Sequence, residues 1–133
     1  MSRTFHRWVK LLFCLMLSFG FTGCSSMSSG AQSGAVGYSQ TGIASFYADK
    51  YQGRLTANGE RFDQNGDTAA HKTLPFGTRV RVTNVATGQS VVVRINDRGP
   101  FVRGRIIDLT RKNFGQLGLH SAGLIKVRIE VVK

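Results

Sequence analysis

Cysteine is nearly absent: the 133-residue chain has two, Cys14 and Cys24, and none beyond. No disulfide can staple a fold built from the rest, which must be held by packing alone, and at this size that favours a closed, compact architecture. Acidic residues are scarce as well, seven against eighteen Lys and Arg. The apolar stretch "LLFCLMLSFGFTG", residues 11–23, is too short to span a bilayer comfortably. There is no internal repeat, no cluster with metal-ligand spacing, no phosphate-binding glycine loop and no nucleophilic triad, so neither metal nor cofactor is expected.

What stands at the N-terminus reads as a targeting segment. Arg3, Arg7 and Lys10 form a basic region ahead of the apolar stretch, the pattern of a signal peptide over residues 1–23. It closes on "FTGC", Phe21 to Cys24, which resembles the lipobox of bacterial lipoproteins, with Phe21 where Leu is usual. The resemblance implies that Cys24 becomes the lipidated first residue and anchors the protein to a membrane. The other reading is ordinary cleavage that leaves Cys24 as a free thiol, a liability outside the cytoplasm. Residues 25–40, "SSMSSGAQSGAVGYSQ", are uncharged and rich in Ser and Gly, as a flexible tether is. Residues 24–40 are thus read as lipidated cysteine and tether, and residues 41–133 as one small globular domain. Ser25 is of the kind that accompanies outer-membrane sorting in Gram-negative lipoproteins, so the expected place is the cell envelope, on the periplasmic face of the outer membrane in such a host.

Setting Arg3, Arg7 and Lys10 aside leaves fifteen basic residues against seven acidic ones, a surplus of eight. Such a surface seeks an anionic partner. Nucleic acid is the usual reading of basic charge, but an exported, anchored protein seldom meets it, and anionic wall polymer or lipid headgroups fit the address better.

Alternating apolar and polar residues mark strands at "GIASFYA", "RVRVTN", "SVVVRIND", "RIID" and "IKVRIEVV". Val80 and Val82 face one way and Arg79 and Arg81 the other; Ile125, Val127, Ile129 and Val131 oppose Lys126, Arg128 and Glu130. One helix is expected from Thr110 as N-cap to about Leu117, with Gly118 as its stop. The class is mainly β, a barrel with one short helix.

Within "RINDRGPFVRGRIIDLT", residues 94–110, two short apolar runs each end in a carboxylate. Asp97 continues the phase of Val91, Val93 and Ile95, and Asp108 that of Ile106, so each is expected on the apolar side of its strand. A carboxylate there is either a hydrogen-bonded strut or a group kept for chemistry. Which one Asp97 is depends on where Arg94, Arg98 and Arg103 point; phase puts Arg94 on the opposite face.

The motifs "GIASFYADKYQGRLTANGERFD", "AAHKTLPFGTRVRVTN", "VVVRINDRGPF" and "RIIDLT", in this order and spacing, resemble the rare lipoprotein A family over Gly42 to Val132. The resemblance implies a six-stranded double-psi β-barrel, related to the barrels of expansins, barwin-like proteins and family 45 cellulases. It also implies endolytic peptidoglycan lytic transglycosylase activity, with a preference for glycan strands lacking stem peptides, and it maps the proposed catalytic positions onto Glu60, His71 and Asp97. Many members carry a C-terminal sporulation-related repeat domain; here the sequence stops at Lys133, so substrate capture is expected to rest on the barrel.

Cleaving a glycosidic bond needs an acid for the leaving oxygen and a group that stabilises an oxocarbenium-like transition state. The candidates are Glu60, His71, Asp97 and Asp108, and each has a plainer reading. Glu60 follows the Asn58-Gly59 turn and fits a solvated hairpin position. His71 fits a core histidine bonded to backbone. Asp97 before Arg-Gly-Pro is good turn chemistry. Asp108 is placed to guard the helix entrance or to pair with Arg94, Arg98 or Arg105. Among the aromatics, Phe46, Tyr47, Phe62 and Phe76 suit the core, whereas Tyr51 and Phe101, in loop-like stretches, suit sugar stacking. Arg98 is a third candidate for substrate contact. The competing readings are a non-catalytic, expansin-like glycan-binding module and a structural envelope lipoprotein that binds a protein partner. A monomer is expected.

Overall fold

Alternation decides which side of each strand faces inward, and the computed structural model, which describes residues 36–133, closes those inner sides on one another. The signal segment, Cys24 and the tether up to residue 35 lie outside the described residues. Six strands form a closed barrel: β1 (Ser39–Phe46), β2 (Thr68–Ala70), β3 (Arg79–Asn84), β4 (Ser90–Asp97), β5 (Arg105–Leu109) and β6 (Ile125–Val132), in the order β1-β5-β2-β4-β3-β6. The β1–β5 and β2–β4 pairs are parallel and the rest antiparallel, the double-psi arrangement. Val80 lies between Val93 and Val131, and Val82 between Val91 and Ile129, so the valines and isoleucines of β3, β4 and β6 meet in layers. The outward Arg79, Arg81, Lys126 and Arg128 are exposed, as expected.

Two elements differ from the sequence reading. Strand β2 has three residues, too few for alternation to register. Strand β1 begins at Ser39, so Ser39 and Gln40, read as tether, belong to the barrel: composition there is polar, but pairing with Glu130 and Ile129 of β6 makes them strand.

Helix α1 (Arg111–Leu117) has the expected N-cap, Thr110, whose hydroxyl accepts the Asn113 N–H. Phe114 and Leu117 are buried against the barrel, and Asn84 caps the far end by donating to the Leu117 carbonyl at 2.8 Å. Gly118 ends the helix for a reason other than backbone handedness. Its φ of 179° is open to any residue, but a Cβ there would sit 2.8 Å from Ile125 Cδ1.

Both parallel pairs contain a register shift. Ala44 pairs with Ile107 rather than Ile106, and Ala70 with Asp97 rather than Asn96. An extra residue re-aims the side chains beyond it. In β5, Ile106, Ile107 and Leu109 are all buried in the core, and half-buried Asp108 alternates with Ile107 and Leu109. Burial thus falls on both phases of β5 around the bulge, Ile106 on one and Ile107 and Leu109 on the other, so strand phase alone does not place Asp108. Ala70 pairs with Asp97 on one flank and Asp108 on the other, which sets the two aspartates about 9–10 Å apart at Cα by strand spacing.

Candidate active site

Strand ends and two loops build a groove of about 590 Å³ at one mouth of the barrel. Its floor carries Asp97 and Asp108, and its walls include Tyr47, Tyr51, Arg54 and Phe101. Four sequence candidates for this site, Asp97, Asp108, Tyr51 and Phe101, are thus brought together, and Arg98 lies on its edge.

The Asp97 carboxylate is clamped. Oδ2 accepts the Tyr47 hydroxyl at 2.7 Å, and Oδ1 accepts the backbone N–H groups of Ala57 and Arg98, each at 2.9 Å. Its carbonyl oxygen also accepts the His71 N–H at 3.2 Å. A carboxylate offers about four acceptor positions. Three are filled, and the one left is on Oδ2. Burial, then the hydrogen bond to Asp97 and the charges of Asp97 and Asp108, push the Tyr47 phenol well above its ordinary range, so it remains an O–H donor at any working pH. Asp108 accepts the Ser45 hydroxyl and forms an ion pair with Arg105.

The arginines flanking Asp97 do not touch its carboxylate with their side chains. Arg98 turns away to donate to the carbonyls of Leu74, at 2.8 Å, and His71, at 3.3 Å, and lies 4.0 Å from the Phe76 ring centre. Arg94 is on the opposite face, as its phase requires, and makes a two-pronged ion pair with Glu60 at 2.6 and 2.7 Å. Arg103 is exposed.

Glu60 and His71 do not line the groove. Hydrogen bonds from Arg94 first, then Asn58, lower the Glu60 carboxyl to about 2, leaving it a carboxylate at neutral pH with no proton to give. Its place is behind the loop of residues 56–60, where Gly59 takes φ of +89° and the Thr56 N–H donates to the Glu60 carbonyl at 2.7 Å. That loop carries the Ala57 N–H to Asp97. His71 is buried, its Nδ1 accepting the N–H groups of Thr73 and Leu74, each at 3.1 Å, so the ring proton sits on Nε2 and points to Gln40 Oε1 at 3.2 Å. Burial, then the charges of Arg98 and Lys72, lower it to about 4.

Sequence reasoning missed Tyr47 and Ser45 as members of the site, whereas Arg105 is one of the three arginines it offered as a partner for Asp108. The phase of β1 held the signal: Ser45 and Tyr47 alternate with Ala44 and Phe46, and Ser45 meets Asp108 of the adjacent β5 while Tyr47, just past the strand, reaches Asp97 at the end of β4. Tyr51 is an exposed wall residue set edge-on to Tyr47 at 5.9 Å, and Phe101 is 80% exposed. A second concavity, about 410 Å³ between β3, β6 and the turn after β3, is lined by Lys126 and Arg128 but by no carboxylate. Among the described residues no three His, Cys, Asp or Glu side chains are grouped to hold a metal.

A family model described as lytic transglycolase matches residues 39–129, more than half of the chain. The chain belongs to the lytic transglycolase family. Among the family's curated members, the "probable endolytic peptidoglycan transglycosylase RlpA" of Synechocystis sp. is 61% identical over 92 residues, 69% of this chain and 29% of that protein. The "endolytic peptidoglycan transglycosylase RlpA" of Pasteurella multocida is 52% identical over 99 residues, 74% of this chain and 34% of that protein. The chain thus spans about a third or less of these relatives' length. Among solved structures the lytic transglycolase barrel is similar to that of a Clavibacter michiganensis expansin, with a TM-score of 0.57 and 20% identity over 72% of this chain and 51% of that one, a likeness of fold.

Proposed function

We propose that this protein cleaves peptidoglycan glycan strands as an endolytic lytic transglycosylase, acting on strands without stem peptides. The observation that carries the reading is an aromatic-walled groove that brings Asp97 and Asp108 together and leaves one acceptor position of Asp97 Oδ2 open, joined to the names that relatives sharing half or more of its aligned residues bear. Asp97 is the acid and base. The open position on Oδ2 gives a proton to the leaving glycosidic oxygen and then takes one from the C6 hydroxyl of the muramic residue, which attacks C1 of the same sugar. Proton count is restored each turnover and no water is consumed. Asp108 lies across the floor as a fixed negative charge that opposes the positive charge developing at C1. Tyr51 and Phe101 stack on the sugars, and Arg98 holds the groove edge. Glu60 and His71 act as positioning residues, one through the Ala57 loop and the other through backbone contacts at Asp97.

Mass spectrometry of purified strands after incubation decides the chemistry. The expected products carry 1,6-anhydromuramic ends. Reducing ends mean a hydrolase that uses water between two carboxyl groups, and binding without cleavage means an expansin-like module.

Tyr47→Phe removes one of three donors to Asp97 and leaves the ring in place. Roughly a tenfold fall in kcat with little change in KM is expected, from the loss of a charge-assisted hydrogen bond that positions the acid. Steady-state kinetics on defined strands reads the split; a change confined to KM contradicts the role.

The protein works as a monomer held in the cell envelope by lipid on Cys24, at the outer membrane in a Gram-negative host. Cys24→Ser should release it from the membrane fraction or leave its signal segment uncleaved. Unchanged attachment of a correctly cleaved variant overturns the anchor.

A further inference from the structure

The groove's cations do not all have anions. Among its four basic side chains, Arg105 is taken by Asp108, and Arg98 by two carbonyls and the Phe76 ring. Lys50 and Arg54 have no carboxylate partner among the described residues. The nearest acid in sequence, Asp49, pairs instead with Arg111 at 3.4 Å. Both free cations sit against one ring: Lys50 Nζ lies 5.3 Å and the Arg54 guanidinium 5.7 Å from the centre of Tyr51. Each is exposed on the wall beside Asp97. One aromatic ring with two positive charges held over it, beside an open groove, suits a sugar that carries an anion.

We infer that Lys50 and Arg54, braced on Tyr51, bind the free lactyl carboxylate of the muramic residue seated on that ring, and so select for strands whose lactyl groups are unsubstituted. The inference rests on the glycan reading of the groove. In a strand, N-acetylglucosamine is neutral and muramic acid is anionic only when its lactyl group ends in a carboxylate. A peptide on that group turns it into an amide and moves any charge to the peptide's own acids. Two cations gathered on one ring therefore read a chemical difference at one position. The pair also sets polarity: Lys50 and Arg54 are exposed and Asp97 and Asp108 half-buried, so the strand's negative groups are drawn to the cations and away from the acids.

The test uses the full chain with Asp97→Asn, so that strands stay intact, and the same chain with Lys50→Gln and Arg54→Gln added. The probes are peptide-free glycan strands and the same strands with their lactyl carboxylates converted to primary amides. The Asp97→Asn protein should bind the carboxylate form about fivefold to tenfold more tightly than the amide form, the scale expected of two exposed ion pairs, and added salt should erase most of the difference. The triple variant should bind both forms equally, at the affinity of the amide form. The inference is overturned if amidation leaves the affinity of the Asp97→Asn protein unchanged, or if the two Gln substitutions weaken both forms alike. Carboxylate selectivity in a chain whose Asp97 form never cleaves either strand sinks the transglycosylase reading and leaves this one standing.

Discussion

Asp97→Asn is expected to give a folded protein that still binds glycan and turns it over roughly 10²–10⁴-fold more slowly, the usual contribution of a positioned general acid or base. The surroundings of Asp97 explain why shape survives. The Asn Oδ1 keeps both backbone donors, Ala57 and Arg98. The amide nitrogen replaces Oδ2 and now donates, and the Tyr47 hydroxyl, which can accept as readily as it donates, turns to receive it. What disappears is the transferable proton. A strut would behave otherwise: the variant would lose thermal stability through its broken contacts, and activity would fall only with the folded fraction. Melting curves and kcat measured on the same preparations separate the two, and wild-type turnover by folded Asp97→Asn removes Asp97 from the chemistry.

The legible part of this protein was what alternation and punctuation encode. Strands β3, β4 and β6 have the residue bounds that their apolar phase suggests, and Thr110 caps the helix as its side chain predicts. Illegible were features set by pairing between distant segments. Three residues of β2 carry no period, yet their position between β4 and β5 is what spaces Asp97 from Asp108. A bulge is one extra residue opposite a partner, and nothing in "RIIDL" says which isoleucine is the extra one, so phase alone could not place Asp108. The candidate site shows the same division. Four acidic or basic groups stood out because their residue types carry chemistry, but only contacts distinguish the two aspartates in the groove from Glu60 and His71 behind it. Tyr47 and Ser45 were passed over because a tyrosine and a serine at a strand end look like core and edge until their aspartate partners are in place.

His71 offers the other large effect, on stability rather than rate. Its folded value of about 4 lies below the ordinary 6.5, so between those pH values the unfolded chain binds a proton that the folded protein refuses. Stability should therefore rise with pH across this window, be fully present above about 6.5, and be lower below about 4 by at most about 3 kcal/mol. The cause is burial first, then the charges of Arg98 and Lys72, and protonating Nδ1 would also turn an acceptor of two N–H groups into a donor facing them. Glu60 contributes in a lower window. Its stabilising ion pair with Arg94 is intact above about 4.5 and is lost as pH falls toward 2. His71→Asn separates the two, since the amide Oδ1 can accept from Thr73 and Leu74 but has no proton to gain. The variant should be less stable at pH 7, by about 1–2 kcal/mol for the smaller buried side chain, yet lack the slope between pH 6.5 and 4 in chemical denaturation. His71→Phe keeps the ring but leaves both N–H groups without an acceptor, and should cost more at every pH. Neither side chain enters the groove, so folded His71→Asn should retain cleavage within about tenfold of wild type, against the 10²-fold or greater loss that removal of a catalytic base brings. Such a loss in a variant that melts cooperatively would return His71 to the chemistry, and a slope that persists in His71→Asn would assign the proton to another group.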